Sequence, residues 1–189
     1  MNPIPDNIRF FIFKSFAGHK GRKGKRGGSA PSDTMEMPAP RTMNIEILPA
    51  MEDDRFYLDR VMAEFGAKWN ETIELTDLIP YRRIVSKDIF TNHLTGDTKI
   101  NKNGRAIYAR YIAETIKHPD EVWLDSGGHQ DRGLNFLGRY TAKKGILHIV
   151  AVFKENAADE VWIGWSGFQH HRPEYCELKR HGERIYRRP

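Results

Sequence analysis

The stretch LNFLGRYTAKKGILHIVAVFKENAADEVWIGWSGF (134–168) decides the fold. Its apolar residues alternate with a period of two, as in Leu147, Ile149, Ala151 and Phe153. That spacing belongs to extended chain with one face in a core. Two groups of turn-forming residues, AKKG (142–145) and ENAAD (155–159), cut the stretch into segments 134–141, 146–154 and 161–168. Connections this short make the segments antiparallel neighbours. A shorter piece, 122–124, precedes them, and 184–187 is placed to pair at an edge.

Upstream the period changes to that of helices. Leu58, Val61, Met62 and Phe65 form one apolar stripe, with Asp53 or Asp54 to cap its start and Gly66 beyond its end. Tyr108, Tyr111, Ile112, Thr115 and Ile116 form a second, preceded by Asn103 and stopped by Pro119. Helices followed by a meander, with no βαβ alternation, predict an α+β fold. The expected architecture is N-terminal helices on one face of a roughly four-stranded antiparallel sheet, whose other face is left for function.

Charge divides the chain differently from its total. Residues 1–42 carry eight Lys/Arg and three acids, which accounts for the whole net charge of +5; the remainder holds 22 of each sign. A high isoelectric point therefore describes the tail, not a basic domain. The run 16–40 is rich in Gly, Pro, Ser and Lys/Arg without apolar period, so 1–42 is expected to be a disordered basic tail and 43–189 one soluble domain. The single cysteine, Cys176, excludes an internal disulfide framework. The apolar FFIF (10–13) is too short for a signal core, and no run approaches the ~20 residues of a membrane span.

For chemistry, alternation places Arg139 and Thr141 on one face of their segment, and Trp162, Gly164, Ser166 and Phe168 together on theirs. His148 lies opposite the Leu147/Ile149/Ala151/Phe153 stripe. Arginine, hydroxyl, aromatic and imidazole groups on one face suit an RNA phosphodiester: guanidinium neutralises developing charge and rings stack on splayed bases. Each also has a plain alternative, since a strand Arg is often ion-paired and Trp162 or Phe168 can simply be core. His170 and His171 are adjacent and point to opposite sides of a strand, so no metal site is expected.

Several segments, in order, resemble the phage-associated nuclease domain of the barnase–EndoU–colicin–RelE superfamily, often found at the C-terminus of Mu F-like head morphogenesis proteins. They are FYLDRVMAEFG (56–66), IVSKDIF (84–90), TGDTKINKNGRAIY (95–108), IAETIKHPDEVWL (112–124), GRYT (138–141) and VWIGWSGFQHHRPEYCELKRHGERIYRR (161–188). The resemblance implies a barnase/RelE-like fold and a metal-independent endoribonuclease that uses the ribose 2′-OH and no cofactor. Carried onto this chain, Arg139 would stabilise the phosphorane and Ser166 would bind the phosphate or orient the attack. Tyr175 would position a base or donate a proton. Lys99, Lys102, Arg105, Thr141 and Arg180 would hold RNA phosphates. Ser166 stands where the family pattern has Thr. No segment supplies an obvious general base; His93 and His148 are the candidates. The implied partners are RNA (tRNA or rRNA), an immunity protein or a phage head protein, with no membrane. The implied location is a bacterial cytoplasm or a phage particle. GRKGKRGGS (21–29) is similar to linkers of phage structural proteins. The alternatives are a non-catalytic phage module that grips nucleic acid or a capsid partner, and a DNA-packaging accessory.

Overall fold

The computed structural model describes residues 36–51, 53–92, 94–126, 132–143 and 145–189. The basic run 16–35 and His93 lie outside the described residues. The fold is α+β. Helix α1 spans Asp54–Ala63, α2 Ala109–Lys117 and the short α3 Glu174–Glu177. The strands are β1 (Ile73–Leu75), β2 (Arg83–Val85), β3 (Glu121–Asp125), β4 (Gly133–Ala142), β5 (Gly145–Asn156), β6 (Val161–His170) and β7 (Glu183–Arg187).

They form one seven-stranded sheet in the order β1-β2-β6-β5-β4-β3-β7, which corrects the expected four. The meander β3–β4–β5–β6 is antiparallel throughout, and β7 pairs with β3 at an edge. The additions nearer the N-terminus are β1 and β2, three residues each, with β2 pairing parallel to the start of β6. Only Arg83 and Ile84 join that pairing, opposite Trp162 and Ile163, so among the described residues no strand pairs with β6 on that side beyond Ile163.

Helix α1 begins where the sequence signal places it. The Asp53 carboxylate accepts from the Arg55 amide at 2.9 Å, and Gly66 takes φ +73° beyond the end of α1. Two 3-10 turns, Lys102–Gly104 and Ala106–Tyr108, lead into α2, so Asn103 is not its cap. Only α2 lies across β4, β5 and β6; α1 packs chiefly on α2, which corrects the expectation of both helices on the sheet. Gly138 and Gly167 allow the close approach of α2. A Cβ at Gly167 would sit 2.5 Å from Ile112 Cγ2, and one at Gly138 2.5 Å from Thr115 Oγ1.

The second face is not bare. Met37, 5% exposed, packs there with Trp123, Leu137, Val150, Val152 and Cys176, against Phe168. Residues 36–42, assigned to the tail from sequence, run as a strap beside the end of β4. β3 stops opposite Leu137, and the strap takes the vacated edge: Arg41 N–H donates to Arg139 O and Thr141 N–H to Arg41 O, both at 2.9 Å. A buried carboxylate ties the strap to both ends of the fold. Asp120 accepts from the Arg139 amide (2.6 Å) and Arg188 Nε (2.8 Å), with Arg41 Nε 3.3 Å away.

Candidate active site

The register of the three long strands assembles one row on the face away from α2. Arg139 stands opposite His148 on β5, and His148 opposite His170 on β6. His148 is 3% exposed, and its Nδ1 is buried without a hydrogen-bond partner. Burial, and next the charge of Arg139, push its imidazole below the ordinary histidine value, so the ring is neutral near pH 7. The His170 ring stacks on Tyr175, centroids 4.1 Å apart and planes at 17°. His170 Nδ1 accepts from the Arg172 amide at 2.9 Å, which places the proton of the neutral ring on Nε2. Tyr175 is 46% exposed and also meets Phe168 edge-on.

Arg139 is not a bare surface cation. Its Nη2 donates to the carbonyls of Met37 (3.2 Å) and Pro38 (2.5 Å), and its Nε is buried without a partner. The strap therefore covers one end of the row.

Ser166 lies elsewhere on the same face, opposite Val152. Two strand spacings of about 4.8 Å and four residues of about 3.4 Å put its α-carbon roughly 17 Å from that of Arg139. One phosphate cannot touch both, and the expected Arg139–Ser166 pair separates into two halves. The half at Ser166 is cationic. Lys99 Nζ donates to Trp165 O at 3.0 Å and Arg105 Nη1 to Gly167 O at 3.1 Å, so these cations cap the outer β6 edge on either side of Ser166. Arg105 Nε also holds Lys102 O at 3.0 Å. Among the described residues no carboxylate forms an ion pair with Lys99, Lys102 or Arg105. Burial pushes the Lys99 ammonium down to about 8, with repulsion from Arg105 and Lys102 adding to it. Further along this edge His171 meets Tyr108 ring to ring at 6.3 Å.

The remaining candidates scatter. Thr141 is exposed at the end of β4, its hydroxyl 3.4 Å from that of Thr42. Arg180 is buried and bound to Glu121 (2.8 Å) and Glu177 (3.0 Å), a structural clamp between α3 and β3. Trp162 and Gly164 do not share a face with Ser166. The β5–β6 register shifts between Val152 and Phe153, from Ser166 opposite Val152 to Gly164 opposite Phe153, and this turns Trp162 and Gly164 to the helix side. The same bulge keeps Ser166, Phe168 and His170 together. His170 was missed as a site residue, although counting two and four positions on from Ser166 finds it. Among the described residues no group of three or more His, Cys, Asp or Glu could hold a metal ion. No helix among them is long and apolar enough to cross a membrane.

The model of a family described as phage-Barnase-EndoU-ColicinE5/D-RelE like nuclease2 matches residues 60–187, from within α1 to the end of β7. No curated protein and no solved structure matches the chain.

Proposed function

The chain belongs to this phage Barnase-EndoU-ColicinE5/D-RelE like nuclease 2 family, and from that premise we propose that it is a metal-independent endoribonuclease. The observation that carries the reading is the outer edge of β6, where Lys99, Lys102 and Arg105 gather and, among the described residues, form no ion pair with a carboxylate. Like charges partly buried together, as those of Lys99 and Arg105 are, oppose folding unless an anion joins them, and an RNA backbone supplies one anion per nucleotide.

In this reading the edge holds flanking phosphates, with Ser166 as a hydroxyl donor among them, and leads toward the Arg139–His148–His170 row. The ribose O2′ attacks the adjacent phosphorus and its proton passes to a neutral imidazole, of which the row contributes His148. Arg139 and the Nε2–H of His170 stabilise the charge on the non-bridging oxygens. The P–O5′ bond breaks as Tyr175 protonates the leaving oxygen, and a 2′,3′-cyclic phosphate remains. tRNA or rRNA in a bacterial cytoplasm is the corresponding substrate.

Incubation of the full chain with bacterial RNA in EDTA tests this. Cyclic-phosphate ends support the proposal, and activity that depends on an added divalent ion rejects it. A second reading, a non-catalytic phage particle module that grips nucleic acid or a head protein, is favoured by one observation: Arg139 already spends its Nη2 on strap carbonyls.

A further inference from the structure

Three arginines on the second sheet face bind four successive backbone carbonyls. Arg187 Nη2 donates to Glu36 O at 2.8 Å, Arg139 Nη2 to Met37 O and Pro38 O, and Arg188 Nη2 to Ala39 O at 2.6 Å. The donors come from three places in the chain: β4, β7 and the residue after β7. They converge because β7 pairs with β3 and β3 with β4, bringing Arg187 opposite Glu121 and Glu121 opposite Leu137. Arg188 is oriented from behind by Asp120 at 2.8 Å.

We propose that the arginine row Arg139, Arg187 and Arg188 is a binding track for the sugar–phosphate backbone of single-stranded RNA, occupied here by residues 36–39 in its place. The inference rests on the nuclease reading and adds both a subsite and its regulation. A row of guanidiniums facing main-chain oxygens presents its donors to whatever acceptor line lies above it. The four carbonyls belong to consecutive residues, so the donors face a continuous line of main-chain acceptors, and an RNA backbone likewise presents one phosphate per nucleotide. Guanidinium prefers the charged, two-pronged phosphate to a neutral carbonyl, so the exchange favours RNA at each contact. What holds the strap against that exchange is the buried Met37 side chain and the Arg41 anchor on Tyr140, Glu114 and Asp120. The strap and the RNA then exclude each other, and Arg139 reaches substrate only when residues 36–39 lift. The plain alternative is that these bonds merely fasten an N-terminal extension to the domain.

The two separate in a binding experiment with a fluorescent single-stranded DNA oligonucleotide, which lacks the 2′-OH and stays intact. Met37→Ser loosens the strap without touching any donor, and it should bind the oligonucleotide about tenfold more tightly than the unaltered chain. Arg187→Ala should bind several-fold more weakly, with a salt-dependence slope smaller by about 0.7. Amides of residues 37–41 should exchange faster when the oligonucleotide is added. Equal or weaker binding by a folded Met37→Ser, or slower exchange of those amides with ligand, overturns the track. Should Met37→Ser fail to fold, Arg187→Ala and the exchange measurement on the full chain decide alone. Cleavage is read in parallel. If the binding results hold and RNA stays intact, the nuclease reading fails and the track stands. If RNA is cut at equal rates by all three proteins and binding is unchanged, the reverse holds.

Discussion

Lys99→Met should make the protein more stable and a poorer ligand for RNA. The ammonium donates to Trp165 O at 3.0 Å, is half-buried, and has Arg105 and Lys102 as its charged neighbours. Methionine keeps the apolar stem and removes the charge. In the folded chain the Lys99 group titrates near 8, below its unfolded value of about 10.4. Between those values the unfolded chain holds the proton more tightly, so wild-type stability rises with pH across that window. Below pH 8 the full cost of the charged group is present, and Met removes it. Because half of the side chain is in water, solvent screening reduces that gain to about 1 kcal/mol at pH 7, or ~2–4 °C in melting temperature. The advantage of the variant should fade by about pH 10.4. For RNA, one lost phosphate contact lowers the salt-dependence slope by about 0.7, which corresponds to about fivefold in affinity at 0.1 M salt relative to 1 M. Wild-type binding should itself weaken as pH rises through about 8. Calorimetry across pH and fluorescence titration across salt measure both arms. A Lys99→Met protein that is less stable at pH 7 and binds RNA unchanged refutes the anion-site reasoning.

Arg139→Ala should cut RNA roughly a hundredfold more slowly, the cost of one lost donor to transition-state charge. Because the same side chain holds Met37 O and Pro38 O, amides of residues 37–41 should also exchange faster in that variant; unchanged exchange would show the strap bonds to be immaterial. Arg139→Lys should restore only part of the activity, since it lacks the planar fork. Arg180→Ala leaves the buried Glu121 carboxylate with the more distant Arg184 guanidinium, at 3.9 Å, and should cost about 3 kcal/mol in urea unfolding; a loss below about 1 kcal/mol would return Arg180 to the surface-cation class. Cys176 is buried and its thiol is pushed up to about 12, so thiol reagents should label it only after denaturation, and rapid labelling of the native protein would contradict that packing.

The parts of the fold that were legible in the sequence are those fixed by local periodicity. The Tyr111/Ile112/Thr115/Ile116 stripe and the turns at 142–145 and 155–159 announce α2 and the meander because each burial choice repeats every few residues. β1 and β2 span three residues each, too few for a period of two to register. The bulge at Trp165 is a property of pairing with β5 and not of β6 alone. Strict alternation therefore carried Trp162 and Gly164 to the wrong face. Met37 is one apolar residue in a stretch of prolines, and its burial depends on a trough formed by Trp123, Leu137 and Val150 far along the chain. Arg180 looked like a phosphate ligand because nothing local reveals Glu121 beneath it, 59 residues away in sequence.

Cleavage through the ribose hydroxyl is the central claim, and one substitution in the substrate tests it most directly. An RNA oligonucleotide and its copy with 2′-deoxyribose at the cleaved position are incubated with the full chain in EDTA. The account predicts that the RNA is cut to a 2′,3′-cyclic phosphate and a 5′-hydroxyl while the deoxy copy stays whole. Cleavage of both at similar rates, or of neither until a divalent ion is restored, would contradict it.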